Sequence, residues 1–234
     1  MNSSEKYGET MIDRLHFDNH NGQSFHYVLY TPDSWRGMKV KRPLVIFLHG
    51  YGERGSNDGS ELDKVFIHGY PKEVKNGAEY PFMIAAPQCP TDSKHGNLWS
   101  AYIESLDVFL DHLIATQPVD TKRISLTGIS MGGSGAWLWG CCSPERFAAI
   151  APVCGTGLCW RANAFTNIPV WAFHGDQDTI IPPEESLAMV KRINAIGGNA
   201  KLTLYHGVAH NSWDNAYSEH TLIEWFKRAR LPAH

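Results

Sequence analysis

The sequence predicts an α/β fold: a mostly parallel central sheet that begins with an antiparallel hairpin and carries helices on both faces. Short, nearly continuous apolar runs recur along the chain, as in strands that are buried on both sides. After the hairpin, segments of helical periodicity alternate with these runs, which is the order of parallel β-α-β units. A Gly-x-Ser-x-Gly pattern at residues 128–132 also lies between one such run and a helix.

The N-terminal half is predicted to supply four strands and one helix. Strands at 13–17 and 24–30 flank His20-Asn21-Gly22, and an Asn-Gly pair favours the tight turn of a hairpin. Apolar runs at 43–48 and 82–86 predict buried strands that end at His49-Gly50 and at Pro87. Residues 101–114 predict a helix with one apolar face, which consists of Ile103, Leu106, Phe109, Leu110, Leu113 and Ile114.

The C-terminal half continues the alternation of strands and helices. A strand at 124–127 leads into the serine motif, a helix at 133–142 follows it, and the next strands are at 148–153 and 169–173. The remaining elements are a helix at 183–196, a strand at 201–205 and a helix at 218–228. In the predicted helix at 183–196, the apolar face consists of Leu187, Val190 and Ile193.

One domain over residues 1–234 fits this organisation, because the chain shows no repeat, linker or low-complexity tract. The longest irregular segment, residues 56–80, is expected to form the rim of the site. No long insertion separates the core strands, so we expect no large lid.

Charge and hydropathy exclude several classes of partner. A net charge of −3 without basic runs gives no reason to expect nucleic acid. No apolar stretch is long enough to insert into a membrane. The N-terminus lacks the apolar core of a signal peptide, so we expect a cytoplasmic protein or a domain excised from a secreted enzyme. The oligomeric state stays open.

The spacing of the cysteines and histidines permits a disulfide and two metal-binding pairs but requires none of them. Five cysteines leave at least one thiol unpaired, and the spacing of Cys154 and Cys159 permits a disulfide without requiring one. The pairs His16/His20 and His206/His210 have a spacing that binds zinc on a helix, but both fall at predicted strand ends or turns. We therefore expect no metal site.

Ser130 is the candidate nucleophile, because a strand-to-helix turn of this kind exposes its hydroxyl. A serine hydroxyl needs a histidine base that is itself held by a carboxylate. On a parallel sheet such residues lie at the carboxyl ends of strands. Two later strands end near suitable pairs: Asp176 and Asp178 follow one, and His206 and His210 follow the other.

Four motifs together resemble the α/β-hydrolases, in particular the phospholipase and carboxylesterase branch, which includes esterases described as predicted peptidases and is related to feruloyl and acetyl esterases. The motifs are Leu48-His49-Gly50-Tyr51-Gly52-Glu53-Arg54-Gly55, Ile129-Ser130-Met131-Gly132-Gly133, His174-Gly175-Asp176-Gln177-Asp178 continuing to Pro182, and Gly207-Val208-Ala209-His210. They span most of the chain in the order expected for this fold.

The resemblance implies that Ser130 is the nucleophile, Asp178 the acid and His210 the base. Asp176 stays open as an alternative acid, and His206 as an alternative base. The resemblance also implies a reaction without metal or cofactor.

The oxyanion hole is expected to combine the backbone N–H of Met131 with that of Tyr51. Trp99 and Trp213 are candidate substrate contacts, with ordinary packing as the alternative. Glu53 and Arg54 are interpreted as a structural ion pair under the mouth of the site, with contact to a polar substrate as the alternative.

The predicted function is that of a serine carboxylesterase, which cleaves short-chain or small aromatic esters through an acyl-enzyme and has a small-molecule ester as its partner. A lysophospholipase or acyl-protein thioesterase is the nearest alternative. A peptidase and a non-catalytic binding module of the same fold are the others.

Overall fold

A computed structural model describes residues 3–7, 10–19, 23–91 and 94–232. Within these ranges the strands are β1 (Ser3–Tyr7), β2 (Thr10–Phe17), β3 (Phe25–Tyr30), β4 (Arg42–Leu48), β5 (Met83–Pro87), β6 (Val119–Ile129), β7 (Ala149–Val153), β8 (Val170–Gly175) and β9 (Ala200–Tyr205). The α-helices are α1 (Gly69–Lys75), α2 (Ile103–Thr116), α3 (Met131–Cys142), α4 (Glu184–Ala195), α5 (Trp213–Ser218) and α6 (His220–Arg228).

The described strands form one sheet of nine, in the order β1-β2-β3-β5-β4-β6-β7-β8-β9. The pairs β1–β2, β2–β3 and β3–β5 are antiparallel. The pairs from β5–β4 through to β8–β9 are parallel. The predicted fold class is therefore confirmed: a mostly parallel sheet preceded by antiparallel strands.

Each face of the sheet carries a core of its own, because side chains alternate along a strand. On β4, Leu44, Ile46 and Leu48 belong to one hydrophobic cluster, whereas Val45 and Phe47 belong to the other. The first cluster includes side chains of α2, α3 and α4, and the second includes side chains of α1, α5 and α6. Helices cover both faces, as predicted.

Strand register brings the loops of the site together. Leu48 at the end of β4 is paired with Gly128 near the end of β6, so the Tyr51 loop lies beside the serine turn. Gly175 is paired with Tyr205, so the loops after β8 and β9 emerge side by side. Both pairs lie at the carboxyl edge of the parallel strands, where ligands bind in open α/β sheets.

Residues 56–80 are more regular than predicted. They contain the 3-10 helix Leu62–Phe66 and helix α1. Gly69 and Pro71 suggest a turn in the sequence, but proline fits the first turn of a helix. Gly69 adopts φ +64° against the ring of Phe47, where a Cβ would overlap the ring. Tertiary packing therefore places a helix where the local sequence favours a loop.

Other boundaries also differ from the prediction. Strand β1 and helix α5 were missed, β6 begins at Val119 rather than at residue 124, and the last predicted helix, at 218–228, corresponds to α6. Leu187 on α4 is 54% exposed, so its assignment to the apolar face was wrong. The buried stripe instead runs through Ser186, Met189, Val190 and Ile193. The hairpin turn predicted at residues 20–22 lies outside the described residues.

All five cysteines are free, so the disulfide that the spacing of Cys154 and Cys159 permits is not formed. Among the helices of the described ranges, none has the length and apolarity to cross a bilayer.

Candidate active site

Ser130 stands on a strained turn between β6 and α3. Its backbone has φ +52° and ψ −115°, which residues other than glycine rarely adopt. A Cβ on Gly132 would overlap the carbonyl oxygen of Leu48, and a Cβ on Gly128 would overlap the carbonyl oxygen of Gly132. The backbone N–H of Ser130 donates to the carbonyl oxygen of Val153 at 3.0 Å. Close packing around the two glycines thus holds the serine in its strained conformation.

Ser130, His210 and Asp178 form a continuous hydrogen-bond chain. The hydroxyl of Ser130 lies 2.8 Å from Nε2 of His210. On the other side of the ring, Nδ1 lies 2.7 Å from Oδ2 of Asp178. The imidazole is thus oriented by a carboxylate at one nitrogen and can accept the serine proton at the other.

The carboxylate of Asp178 is buried but well satisfied. Its side chain has no exposed surface. Burial alone would raise its pKa, but the hydrogen bonds from His210 and from the backbone N–H groups of Ile181 and Ile180 lower the pKa below its ordinary value. These N–H groups donate to Oδ1 at 3.0 and 2.9 Å. Asp178 therefore stays ionised at neutral pH, and Nδ1 of His210 carries a proton.

His174, at the end of β8, supports Asp178 from the interior. Its Nε2 lies 3.2 Å from Oδ2 of Asp178 and 2.9 Å from the carbonyl oxygen of Ile181. Since both neighbours are acceptors, Nε2 carries the proton. Its Nδ1 lies 2.7 Å from the hydroxyl of Ser186 on α4. Sequence reasoning gave this residue no role, although its place in the motif His-Gly-x-x-Asp was a usable signal.

The alternative residues Asp176 and His206 form a separate pair. Nδ1 of His206 lies 2.7 Å from Oδ2 of Asp176. The side chain of His206 is 97% exposed. The structure therefore directs Asp176 and His206 toward each other, whereas Asp178 and His210 connect to Ser130.

The two predicted oxyanion donors border the same cavity as Ser130. Met131 is the first residue of α3, so its N–H has no acceptor within the helix. Tyr51 begins the 3-10 helix Tyr51–Glu53 after β4. Each of the two residues begins a helical turn, so its N–H has no acceptor within that turn.

His49 holds the loop that carries Tyr51. The ring donates from Nδ1 to the carbonyl oxygen of Gly50 at 2.7 Å and accepts at Nε2 from the N–H of Cys89 at 2.9 Å. The carbonyl oxygen of His49 accepts from the indole N–H of Trp99 at 3.0 Å. Burial lowers the pKa of His49 to about 4, so the ring is neutral at pH 7. His49 therefore fixes the position of this loop.

Two cavities flank Ser130. The larger has a volume of about 420 Å³ and is mainly apolar, with walls that include Leu98, Trp99, Met131, Leu138, Leu158 and Ile181. The smaller has a volume of about 270 Å³ and is bordered by His210 and Trp213 together with Tyr51, Glu53 and His68. The two predicted substrate contacts therefore lie in different cavities.

The predicted ion pair between Glu53 and Arg54 was wrong. Nε2 of His68 lies 3.7 Å from Oε1 of the buried Glu53. The guanidinium of Arg54 lies over the ring of Tyr51, 3.2 Å from its centroid, and donates to the carbonyl oxygens of Tyr51 and Asn97. Consecutive residues of a 3-10 helix point about 120° apart, so adjacency in sequence did not produce contact.

A family model for phospholipases and carboxylesterases matches residues 36–220. The chain belongs to the phospholipase/carboxylesterase family. Acyl-protein thioesterase 1 of Gibberella zeae is 25% identical over 227 residues, covering 80% of this chain and 90% of the relative. S-formylglutathione hydrolase of Rattus norvegicus is 34% identical over 90 residues, covering 37% of this chain and 30% of that protein.

Solved structures show the same architecture. A thermostable esterase has a TM-score of 0.74 and 30% identity; the match covers 93% of this chain but only 62% of that esterase, which is less than two thirds. An S-formylglutathione hydrolase from Agrobacterium tumefaciens has a TM-score of 0.73 and 13% identity, with 98% and 99% of the two chains covered. Together with the family, these relatives identify a hydrolytic enzyme with the α/β-hydrolase fold.

One group of residues in the described part of the chain has the proximity that a metal site needs. It consists of Cys154, Asp178 and His210, whose ligand atoms lie within 4.8 Å of one another. Burial raises the pKa of the Cys154 thiol to about 12, and metals bind the thiolate. A metal would also have to replace the hydrogen bond between Asp178 and His210. Asp178 and His210 therefore suit the hydrogen-bond chain better than a metal ion.

Proposed function

We propose that the protein is a serine carboxylesterase, with Ser130 as nucleophile, His210 as general base and Asp178 as the carboxylate that orients the base. The observation that carries the proposal is the unbroken hydrogen-bond chain from Asp178 to Ser130, which ends between two cavities. Each distance in this chain, 2.7 and 2.8 Å, is short enough for proton transfer in the reacting complex.

In the proposed reaction, His210 takes the proton of Ser130 as the serine oxygen attacks the ester carbonyl carbon. The N–H groups of Tyr51 and Met131 stabilise the negative charge on the carbonyl oxygen. The tetrahedral intermediate then breaks its bond to the alcohol oxygen, and His210 gives that oxygen the proton. Water, activated by His210, hydrolyses the resulting acyl-enzyme and releases the acid.

Short-chain and small aromatic acyl groups suit the larger cavity, since cavities of roughly 300–1,000 Å³ are typical of small-molecule sites. The test is hydrolysis of p-nitrophenyl esters from acetate to palmitate by wild type, Ser130→Ala and Ser218→Ala. Ser218 is an exposed serine at the end of α5 and serves as the matched control. We expect a maximum at short acyl chains and a loss of about a million-fold in kcat for Ser130→Ala alone. Equal rates in Ser130→Ala and wild type would contradict the proposal.

Hydrolysis of long-chain thioesters is the second candidate. It is favoured by the similarity to the thioesterase of Gibberella zeae, which extends over 80% of this chain. An S-palmitoyl peptide separates the two functions. Faster turnover of this peptide than of p-nitrophenyl butyrate would support the thioesterase, and the reverse order would support the carboxylesterase.

A further inference from the structure

In the proposed reaction, the two cavities beside Ser130 receive different parts of the ester. His210 must protonate the departing alcohol oxygen, so the alcohol has to lie on the side of Ser130 where His210 stands. His210 borders the smaller cavity. The larger cavity, with its wall of Leu98, Met131 and Leu138, then receives the acyl group.

The smaller cavity contains a buried carboxyl group that the hydrogen-bond chain does not use. The side chain of Glu53 is only 8% exposed. Burial raises its pKa, against the opposing effects of His68 and of the backbone N–H groups of Gly50 and Glu53. Burying a carboxyl group is costly unless it makes polar contacts, and no side chain of the described residues donates to Glu53 within 3.5 Å. Glu53 thus retains capacity to accept hydrogen bonds beside the reacting atoms.

His68 and Trp213 complete the polar end of this cavity. Nε2 of His68 is 3.7 Å from Oε1 of Glu53, which places a histidine nitrogen next to a carboxylate oxygen. The ring of Trp213 is 5.1 Å from that of His68 and 5.5 Å from that of His210. The indole therefore packs against both His68 and the proposed base His210.

We propose that this cavity is a subsite for a hydroxylated leaving alcohol, such as glycerol or a sugar, and that Glu53 and His68 recognise its hydroxyl groups. A hydroxyl both donates and accepts, so it fits a carboxylate acceptor placed beside an imidazole. The face of Trp213 suits the C–H groups of the same alcohol. A cation fits less well, because His68 already stands next to the carboxylate. The subsite depends on the proposed esterase reaction at Ser130.

Glycerol monoacetate and propyl acetate provide a matched pair of substrates, because they differ only in two hydroxyl groups. We expect wild type to prefer glycerol monoacetate by at least about tenfold in kcat/KM, since a site built to bind hydroxyls rejects the analogue without them. Glu53→Gln should lose most of that preference and leave propyl acetate nearly unchanged. Glu104→Gln, an exposed carboxylate on α2 outside both cavities, is the control and should leave both rates unchanged.

Three results would overturn the subsite. The first is a wild-type ratio near one while p-nitrophenyl acetate is still hydrolysed in a Ser130-dependent way. The second is an equal effect of Glu53→Gln on both acetates, and the third is a preference for acetylcholine over glycerol monoacetate. If Glu53→Gln does not fold, His68→Phe is measured instead, together with inhibition of wild type by glycerol and by propanol. Loss of all Ser130-dependent hydrolysis would instead contradict the esterase reaction itself.

Discussion

The loops after β8 and β9 contain two aspartate–histidine pairs that look alike in sequence and in local geometry. Asp176 pairs with His206, and Asp178 pairs with His210, each with 2.7 Å between Nδ1 and Oδ2. Their surroundings differ. The side chains of His206 and Asp176 are 97% and 20% exposed, whereas those of His210 and Asp178 are 19% and 0% exposed.

The difference shows that an aspartate–histidine hydrogen bond acquires a chemical role from its surroundings. At the exposed pair, water competes for both side chains, and such pairs contribute little to stability. At the buried pair, the carboxylate also accepts from two backbone N–H groups and has Nε2 of His174 at 3.2 Å, so its geometry is fixed and its imidazole reaches Ser130. The same residue types therefore form a surface contact in one place and a candidate catalytic unit in the other.

Replacing each histidine by alanine should give the largest contrast. His210→Ala removes the proposed base, so we expect kcat for p-nitrophenyl acetate to fall on the order of a million-fold. His206→Ala should change kcat by less than about twofold, because its ring points into solvent. Steady-state rates of both variants test this expectation. Comparable losses of kcat in the two variants would contradict the different roles proposed for His210 and His206.

The aspartates should give the next largest contrast. Asp178→Asn leaves the shape of the side chain intact but no longer favours the tautomer of His210 that accepts the serine proton, so a loss of about ten-thousand-fold in kcat is expected. Asp176→Asn should keep nearly full activity. Measuring kcat at several pH values serves as the check, and a fully active Asp178→Asn would exclude this carboxylate from the reaction.

His174 distinguishes the buried pair further, since its Nε2 lies 3.2 Å from Oδ2 of Asp178. His174→Phe removes this polar contact together with the hydrogen bonds of the ring to Ile181 and Ser186, which should lower the free energy of unfolding by roughly 1–3 kcal/mol. It should also reduce kcat more than KM, because the orientation of His210 depends on Asp178. Urea unfolding and steady-state kinetics measure the two effects. Unchanged stability together with unchanged kcat would show that the contact at 3.2 Å contributes nothing.

Acid should reduce the contribution of Asp178 to the free energy of unfolding. The pKa of Asp178 is lower in the folded protein than its ordinary value, so its stabilising contribution is complete above the unfolded pKa of about 4. That contribution decreases as the pH falls through the lowered pKa. The difference in free energy of unfolding between wild type and Asp178→Asn should therefore narrow as the pH falls below about 4, as measured by urea unfolding. A gap that widens in acid would contradict the direction of the pKa shift.

Local patterns in the sequence were sufficient to predict the main strands and helices of the fold. The apolar run before His49, the helical spacing of Leu106, Phe109 and Leu113, and the glycines around Ser130 each reflect a requirement of the local backbone. Such requirements are visible in a window of a few residues. The α/β class and the alternation of strands and helices along the chain follow from them.

The four motifs had implied Asp178 and His210 as the partners of Ser130, but only the tertiary structure shows how the two aspartates and the two histidines pair. The register of β8 against β9 separates Asp176–His206 from Asp178–His210, and the fold, not the spacing, buries the second pair. Likewise, packing of Gly69 on Phe47 supports helix α1, and the turn after β4 directs Glu53 to His68 instead of Arg54. Burial of the second pair, formation of helix α1 and the direction of Glu53 depend on contacts between distant segments, whose free energies outweigh local preferences.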